Sequence, residues 1–189
     1  MWAADLAPSG PPPLAVGEVD AKHAGALVQA MGREGDLVAK RFARGCRCFA
    51  VWIDGSLGGY GWMTTGPEWI GELQLEIKPR PGEGYIWNCV TLAEHRRKGV
   101  FRSLLIGISG LARKEGLKRL WLGSLAIPAE KAVAPSGFKP ALQLNSLNFA
   151  GLHLLRVAES ADQGLARDAA VALGISPGIM LRRSRVRAH

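Results

Sequence analysis

The hydrophobic pattern of this chain changes abruptly near residue 92, and that change restricts the fold more than any other feature. Tyr85-Ile86-Trp87-Asn88-Cys89-Val90-Thr91-Leu92 reads as a strand. Ala93 to Gly99 is polar and basic. From Phe101 to Leu117, the residues Leu104, Leu105, Ile108, Leu111 and Ala112 recur at helical spacing, with Gly116 placed to end the helix. A strand that passes through a short loop into an amphipathic helix, with another short strand at Arg119 to Ser124, makes a crossover.

Upstream the chain reads differently. Met1 to Pro13 is expected to be a flexible leader, stiffened by Gly10-Pro11-Pro12-Pro13. Leu14 to Val19 is a short strand, Asp20 caps a helix to about Met31, and Gly35 to Ala43 forms a second short helix. Cys48 to Ile53 and Leu57 to Thr64 flank Asp54-Gly55, a strong hairpin turn. Glu72 to Ile77 alternates polar and apolar, as a half-buried strand does. Beyond the crossover, Pro128 to Ala134 is helix-like, Leu142 to Leu147 and Asn148 to Val157 are set to pair, and Ala161 to Leu173 is a last helix. The expected fold class is α/β: a mixed, mostly antiparallel sheet flanked by helices. The domain is expected over 14–157, with a C-terminal extension over 158–189 that carries a helix and a basic tail.

The 189 residues suit one domain. At 48% hydrophobic and 21% charged residues the chain is a folding one. Cys46, Cys48 and Cys89 are too few for a disulfide scaffold, and Cys46-Arg47-Cys48 lacks the further ligands of a zinc site, so no metal is expected. The start of the chain does not fit a secretory signal, and no stretch reaches the roughly 20 apolar residues of a membrane span. A cytoplasmic protein with no membrane contact is the expectation.

The net charge of +8 is concentrated at two places. Arg182 to Arg187 reads as a solvated tail, without the aromatic interleaving or recognition helix of a nucleic-acid binder. The other cluster, His95-Arg96-Arg97-Lys98 with Arg102, lies where a helix begins. There the free backbone N–H groups and the helix dipole favour an anion, and Gly99 lets a ligand approach the backbone. Neither G-x-x-x-x-G-K-[ST] nor G-x-G-x-x-G is present in this segment. On the string alone, a solvated basic loop before a core helix is an equal reading.

Arg96-Arg97-Lys98-Gly99-Val100-Phe101 resembles the acyl-CoA pyrophosphate loop of the GNAT superfamily of N-acyltransferases, whose pattern is Q/R-x-x-G-x-G/A. Tyr85 to Leu105 is similar to that family's central strand–loop–helix, and Gly137-Phe138 to the pair closing its next motif. The ordered set covers roughly 14–157. The resemblance implies a central strand pair that splays, Tyr85–Leu92 and Arg119–Ser124, with the pantetheine arm lying against Val90, Thr91 and Leu92. It implies a pyrophosphate site over Arg96, Arg97, Lys98, Gly99, Val100, Phe101 and Arg102, and a backbone N–H near Val90 polarising the acyl carbonyl. The implied donor is acetyl-CoA or another acyl-CoA. The implied acceptor is an amine on a small molecule or peptide, attacking the thioester directly. A homodimer is left open.

The sequence also departs from that family. Phe101 stands where Gly or Ala is preferred, Ala126 where Asn is common, and Val133 where a Tyr often protonates the departing thiolate. Glu76 is the candidate base, with Glu72 on its expected face; Asn88 is placed to orient a water, and His95 is expected to face solvent. Trp62 and Trp87 read as sheet core or as walls of an acceptor pocket. The missing Tyr keeps a second function class in view, a non-catalytic acyl-CoA sensor on the same fold.

Overall fold

The computed structural model describes residues 1–7, 10–20, 23–124 and 131–184. Seven strands form the main sheet: β1 (Trp2–Asp5), β2 (Val16–Glu18), β3 (Arg47–Ile53), β4 (Ser56–Thr64), β7 (Glu83–Thr91), β8 (Arg119–Leu122) and β9 (Lys139–Pro140). They lie in the order β2-β3-β4-β7-β8-β1-β9. Every pairing in this sheet is antiparallel except β7 with β8. The β3–β4 turn places Asp54 at φ 51° and Gly55 at φ 78°, as a tight hairpin requires.

One face of this sheet carries α3 (Val100–Lys114). Its Leu104, Leu105 and Ile108 pack on Phe49, Val51, Met63, Ile86, Leu120 and Leu122. Each such buried side chain contributes roughly 1.5–3 kcal/mol of transfer free energy. The other face is shared. At the β3–β4 end, α1 (Ala24–Met31) and α2 (Leu37–Ala43) cover Cys48, Ala50, Tyr60 and Trp62. At the β7–β8 end, Tyr85 and Trp121 are covered by three further units. These are the hairpin of β5 (Glu68–Ile70) and β6 (Leu75–Ile77), α4 (Gln163–Leu173), and a sheet of β10 (Leu142–Phe149), β11 (Leu152–Glu159) and β12 (Gly178–Arg183).

The fold class is the expected one, but several details differ. The leader begins with a strand: Trp2–Asp5 inserts between β8 and β9, a tertiary pairing that a four-residue string with no period does not announce. The strand expected over Glu72 to Ile77 is broken by a 3₁₀ turn at Gly71–Leu73 and by Gln74 at φ 49°. Only Leu75–Ile77 is extended, and it pairs with β5. The neighbour of β7 is therefore β4, and Glu76 does not lie on the adjoining strand. At the C-terminal side the expected boundary at 157 falls inside β11, and the segment after α4 supplies β12. Arg182 and Arg183 end that strand. Ala126, Pro128 to Glu130 and Arg185 to Arg187 lie outside the described residues.

Candidate functional site

The central parallel pair is held together at one end, and among the described residues its pairing stops partway along β7. At its start, Lys118 N–H donates to Gly82 O at 2.7 Å. The buried Glu83 carboxylate accepts from the Trp121 indole at 2.8 Å and from Arg80 N–H at 3.1 Å. The register then runs Glu83↔Arg119, Gly84↔Leu120, Tyr85↔Trp121 and Ile86↔Leu122, where β8 ends while β7 continues to Thr91. Burial follows the same division: 83–86 are buried and 87–92 are half-buried. Past Ile86, β7 is paired on one edge only among the described residues, toward β4.

A bulge sits just past the end of that pairing. Trp62 pairs with Trp87 and Tyr60 with Val90, so Asn88 and Cys89 together oppose Gly61. Asn88 adopts φ 47°, in the left-handed region that Asn tolerates better than most residues. Leu92 N–H donates to Gly58 O at 3.1 Å, which makes Gly59↔Thr91 a non-hydrogen-bonded pair. By the alternation of an antiparallel ladder, Val90 turns its N–H and C=O toward Tyr60. Cys89 and Thr91 turn theirs to the opposite edge, which pairs with no described residue. Val90, near which the polarising amide is expected, thus directs its own N–H toward β4. The bulge that decides this has no sequence signal beyond Asn88 and the facing glycine.

The basic loop reaches α3 through two left-handed residues, Arg97 at φ 64° and Gly99 at φ 79°. Gly99 occupies the helix cap with no side-chain cap bond, so the first-turn amides of Val100, Phe101 and Arg102 keep their donor capacity. Arg96, Arg97, Lys98 and Arg102 are exposed around them. Val100 is buried, and Phe101 packs into the core beside α3. Ser103 fixes the helix start: its hydroxyl donates to Gly99 O at 2.9 Å and accepts Leu14 N–H at 3.1 Å. The helix also comes very close to the sheet. A Cβ on Gly59 would lie 2.5 Å from Val90 O and 2.6 Å from the Val100 side chain.

The remaining side chains divide clearly. Trp62 is fully buried under Phe42 and Arg41, with ring centroids 5.1 Å apart for the first pair and the guanidinium carbon 5.1 Å from the ring centroid for the second. Trp87 is half-buried and stacks on Tyr85 at 5.8 Å. His95 is half-buried rather than solvent-facing, with Nδ1 enclosed and unpartnered among the described residues. Ser124 Oγ, just past β8, is likewise enclosed without a partner. Glu76 lies in the small hairpin with its carboxylate 3.3 Å from Lys78 Nζ. Val133 is fully buried in the core beside α3. Burial pushes the Tyr60 phenol and the Cys89 thiol each up to about 12. Among the described residues no three His, Cys, Asp or Glu side chains gather as a metal site, and no helix is long and apolar enough to cross a membrane.

A parallel strand pair whose pairing stops near a bulge lies beside a cationic helix start, and the sequence carries a family match. The profile of the acetyltransferase (GNAT) family aligns with residues 23–134, more than half of the chain. The chain belongs to the GNAT acetyltransferase family. No curated protein matches its sequence. Among solved structures, a ribosomal-protein-alanine N-acetyltransferase from Brucella melitensis biovar Abortus 2308 is similar at TM-score 0.53 and 16% identity, over 72% of this chain and 100% of that one. The aminoglycoside N-acetyltransferase AAC(6')-Iy in complex with CoA is similar at TM-score 0.55 and 12% identity, over 71% and 98%. A GNAT-family protein from Novosphingobium aromaticivorans is similar at TM-score 0.52 and 17% identity over 73% of this chain, which spans 57% of that protein. At such identities the likeness is one of fold. The GNAT profile ends before β10, so the sheet of β10, β11 and β12 lies outside it.

Proposed function

We propose that the protein is an N-acyltransferase that moves an acyl group, acetyl in the simplest case, from acyl-CoA to a primary amine of a small molecule or peptide. The observation that carries this reading is the open edge of β7 past Ile86, ending at the unpaired amides of α3. The chain's residues fit such a donor. The pantetheine amides pair with the free edge at Cys89 and Thr91, in the half-buried stretch that runs on to Leu92. The diphosphate sits on the amides of Gly99, Val100, Phe101 and Arg102 under the charges of Arg96, Arg97 and Lys98. The Ser124 hydroxyl, without a partner among the described residues, has capacity for a polar group of the arm.

In the reaction, the amine nitrogen attacks the thioester carbon, the carbonyl π electrons move to oxygen, and collapse breaks the C–S bond. The oxyanion needs an amide on the open edge, a role we assign to Cys89 N–H in place of Val90 N–H. Asn88 acts through its backbone by setting the bulge. The leaving thiolate needs little help, since a thiol pKa near 8.5 makes it a fair leaving group. Val133 supplies no proton. With β4 beside β7, we assign removal of the ammonium proton to water in the cleft rather than to Glu76. Calorimetric titration with CoA and acetyl-CoA, followed by thiol release with a panel of amines, tests the reading. Heat with CoA together with amine-dependent thiol release supports it, and absence of CoA binding overturns it. Tight CoA binding without turnover of any amine would favour an acyl-CoA sensor, the reading that the buried Val133 supports.

A further inference from the structure

The outer face of the C-terminal sheet is apolar where a monomer's surface is ordinarily polar. Its inner face is accounted for: Leu155 and Val157 of β11 are buried against the core. Because cross-strand partners share a face, the register fixes what lies outside. Phe149, Leu152 and Arg183 form one row, Leu147, Leu154 and Leu181 the next, and Asn145, Arg156 and Ile179 a third. Six large apolar side chains therefore stand together in the open, with Leu147, Phe149, Ile179 and Leu181 between 62% and 77% exposed.

We propose that this face is the interface of a homodimer, with a second copy of the chain packed sheet-on-sheet over the Leu147–Leu154–Leu181 row. The area argues for it. The six side chains offer roughly 600 Å² of apolar surface, at the upper end of what a monomer exposes in one patch. With the stems of Arg156 and Arg183 the face approaches the about 800 Å² that each partner buries in an ordinary stable interface. The charge pattern selects the symmetry. A two-fold axis along the leucine row lays Leu152 of one copy on the Arg156 stem of the other and Ile179 on the Arg183 stem. The guanidinium heads then reach the rim, apart from each other. An axis along β11 would instead stack Arg156 on Arg156, which is unfavourable. None of the CoA-slot residues proposed above lies on this face, so the inference is independent of the catalytic reading.

Sedimentation velocity on the full chain from low micromolar to roughly 100 µM tests it. The expected result is a dimer, with Leu154→Asp and Leu181→Asp each halving the mass while the far-UV spectrum stays that of wild type and urea unfolding stays cooperative. A wild-type chain that stays monomeric over this range overturns the proposal, as does a dimer that survives both substitutions. Pelleting with phosphatidylglycerol vesicles adds one outcome. A monomer that binds vesicles and is released by Leu181→Asp assigns the face to an anionic membrane surface and also overturns the dimer.

Discussion

Asn88 is the residue on which the candidate site turns, and it acts through its backbone. At φ 47° it places two residues opposite one and rotates the following amides, so that Cys89 and Thr91 face the open edge. Asn88→Gly keeps that conformation and loses only the amide side chain. Its expected kcat/KM is within a few-fold of wild type. Asn88→Val meets the left-handed region with a β-branched side chain, at a cost of roughly 1–3 kcal/mol. It is expected to lower both the urea midpoint and kcat/KM. Steady-state kinetics on the two variants separate a side-chain role from a backbone one: a Gly variant as impaired as the Val variant would restore the side chain. Gly99 allows a more direct test of the anion site. At φ 79° the open space beside it admits a side chain but the backbone resists one. Gly99→Glu adds both strain and a negative charge at the proposed diphosphate position. At least a hundredfold loss of CoA affinity by calorimetry is expected, from a chain with unchanged far-UV spectrum. Glu76, paired with Lys78 in a separate hairpin, is expected to change kcat less than threefold as Glu76→Gln, with the acid limb of the pH–rate profile unmoved.

The strands and helices show what a sequence can and cannot announce. The β3–β4 hairpin was legible because Asp54-Gly55 has little else to do than turn. The junction from β7 into α3 was legible because its apolar period changes within a few residues. Strand pairing was less so. Glu72 to Ile77 alternates as a strand should, yet Gln74 turns left-handed and a 3₁₀ turn consumes Gly71–Leu73, so only Leu75–Ile77 is strand. Alternation specifies a half-buried face without naming the neighbour across it. Trp2–Asp5 was invisible for the opposite reason: it carries almost no pattern, and its position comes from what β8 and β9 leave open. In the candidate site the cationic loop could be read from residue types, whereas the slot depends on where β8 stops. The closed end of that slot is held partly by Glu83, which accepts from the Trp121 indole and from Arg80 N–H while only 8% exposed. Glu83→Ala strands the buried Trp121 indole N–H, at about 1–3 kcal/mol for an unsatisfied group, while the part-buried Arg80 N–H can turn to water. The expected loss in urea denaturation is about 1–3 kcal/mol, accompanied by weaker CoA binding because the closed end of the slot loosens. A loss below about 1 kcal/mol would show that β7 and β8 need no such pin.

At the scale of the whole molecule, the C-terminal sheet joins a core that the main sheet shares, and a histidine lies on the joining side. His153 is 2% exposed on β11, on the same side as Leu155 and Val157, with Nε2 unpartnered among the described residues. Burial lowers its pKa from the ordinary value, and the nearby Arg182 charge lowers it further. Between the lowered folded value and the usual value near 6.5, the unfolded chain holds more protons than the folded one. Folding stability is therefore fully present above about pH 6.5 and falls as the pH drops through the folded value. The carboxylates behave differently. Hydrogen bonds from Arg119 and Arg47 hold Asp168 and Glu115 below the usual range, so their contributions persist as His153 titrates and are lost only in stronger acid. Urea midpoints across this range are thus expected to show a first decline just below pH 6.5 and a second in the acid region. His153→Leu removes the titrating group and leaves an apolar residue facing an apolar core. It should flatten the first decline and leave the second in place. If the first decline persists in that variant, its source lies in another histidine, and the C-terminal sheet is not the acid-sensitive part of the fold.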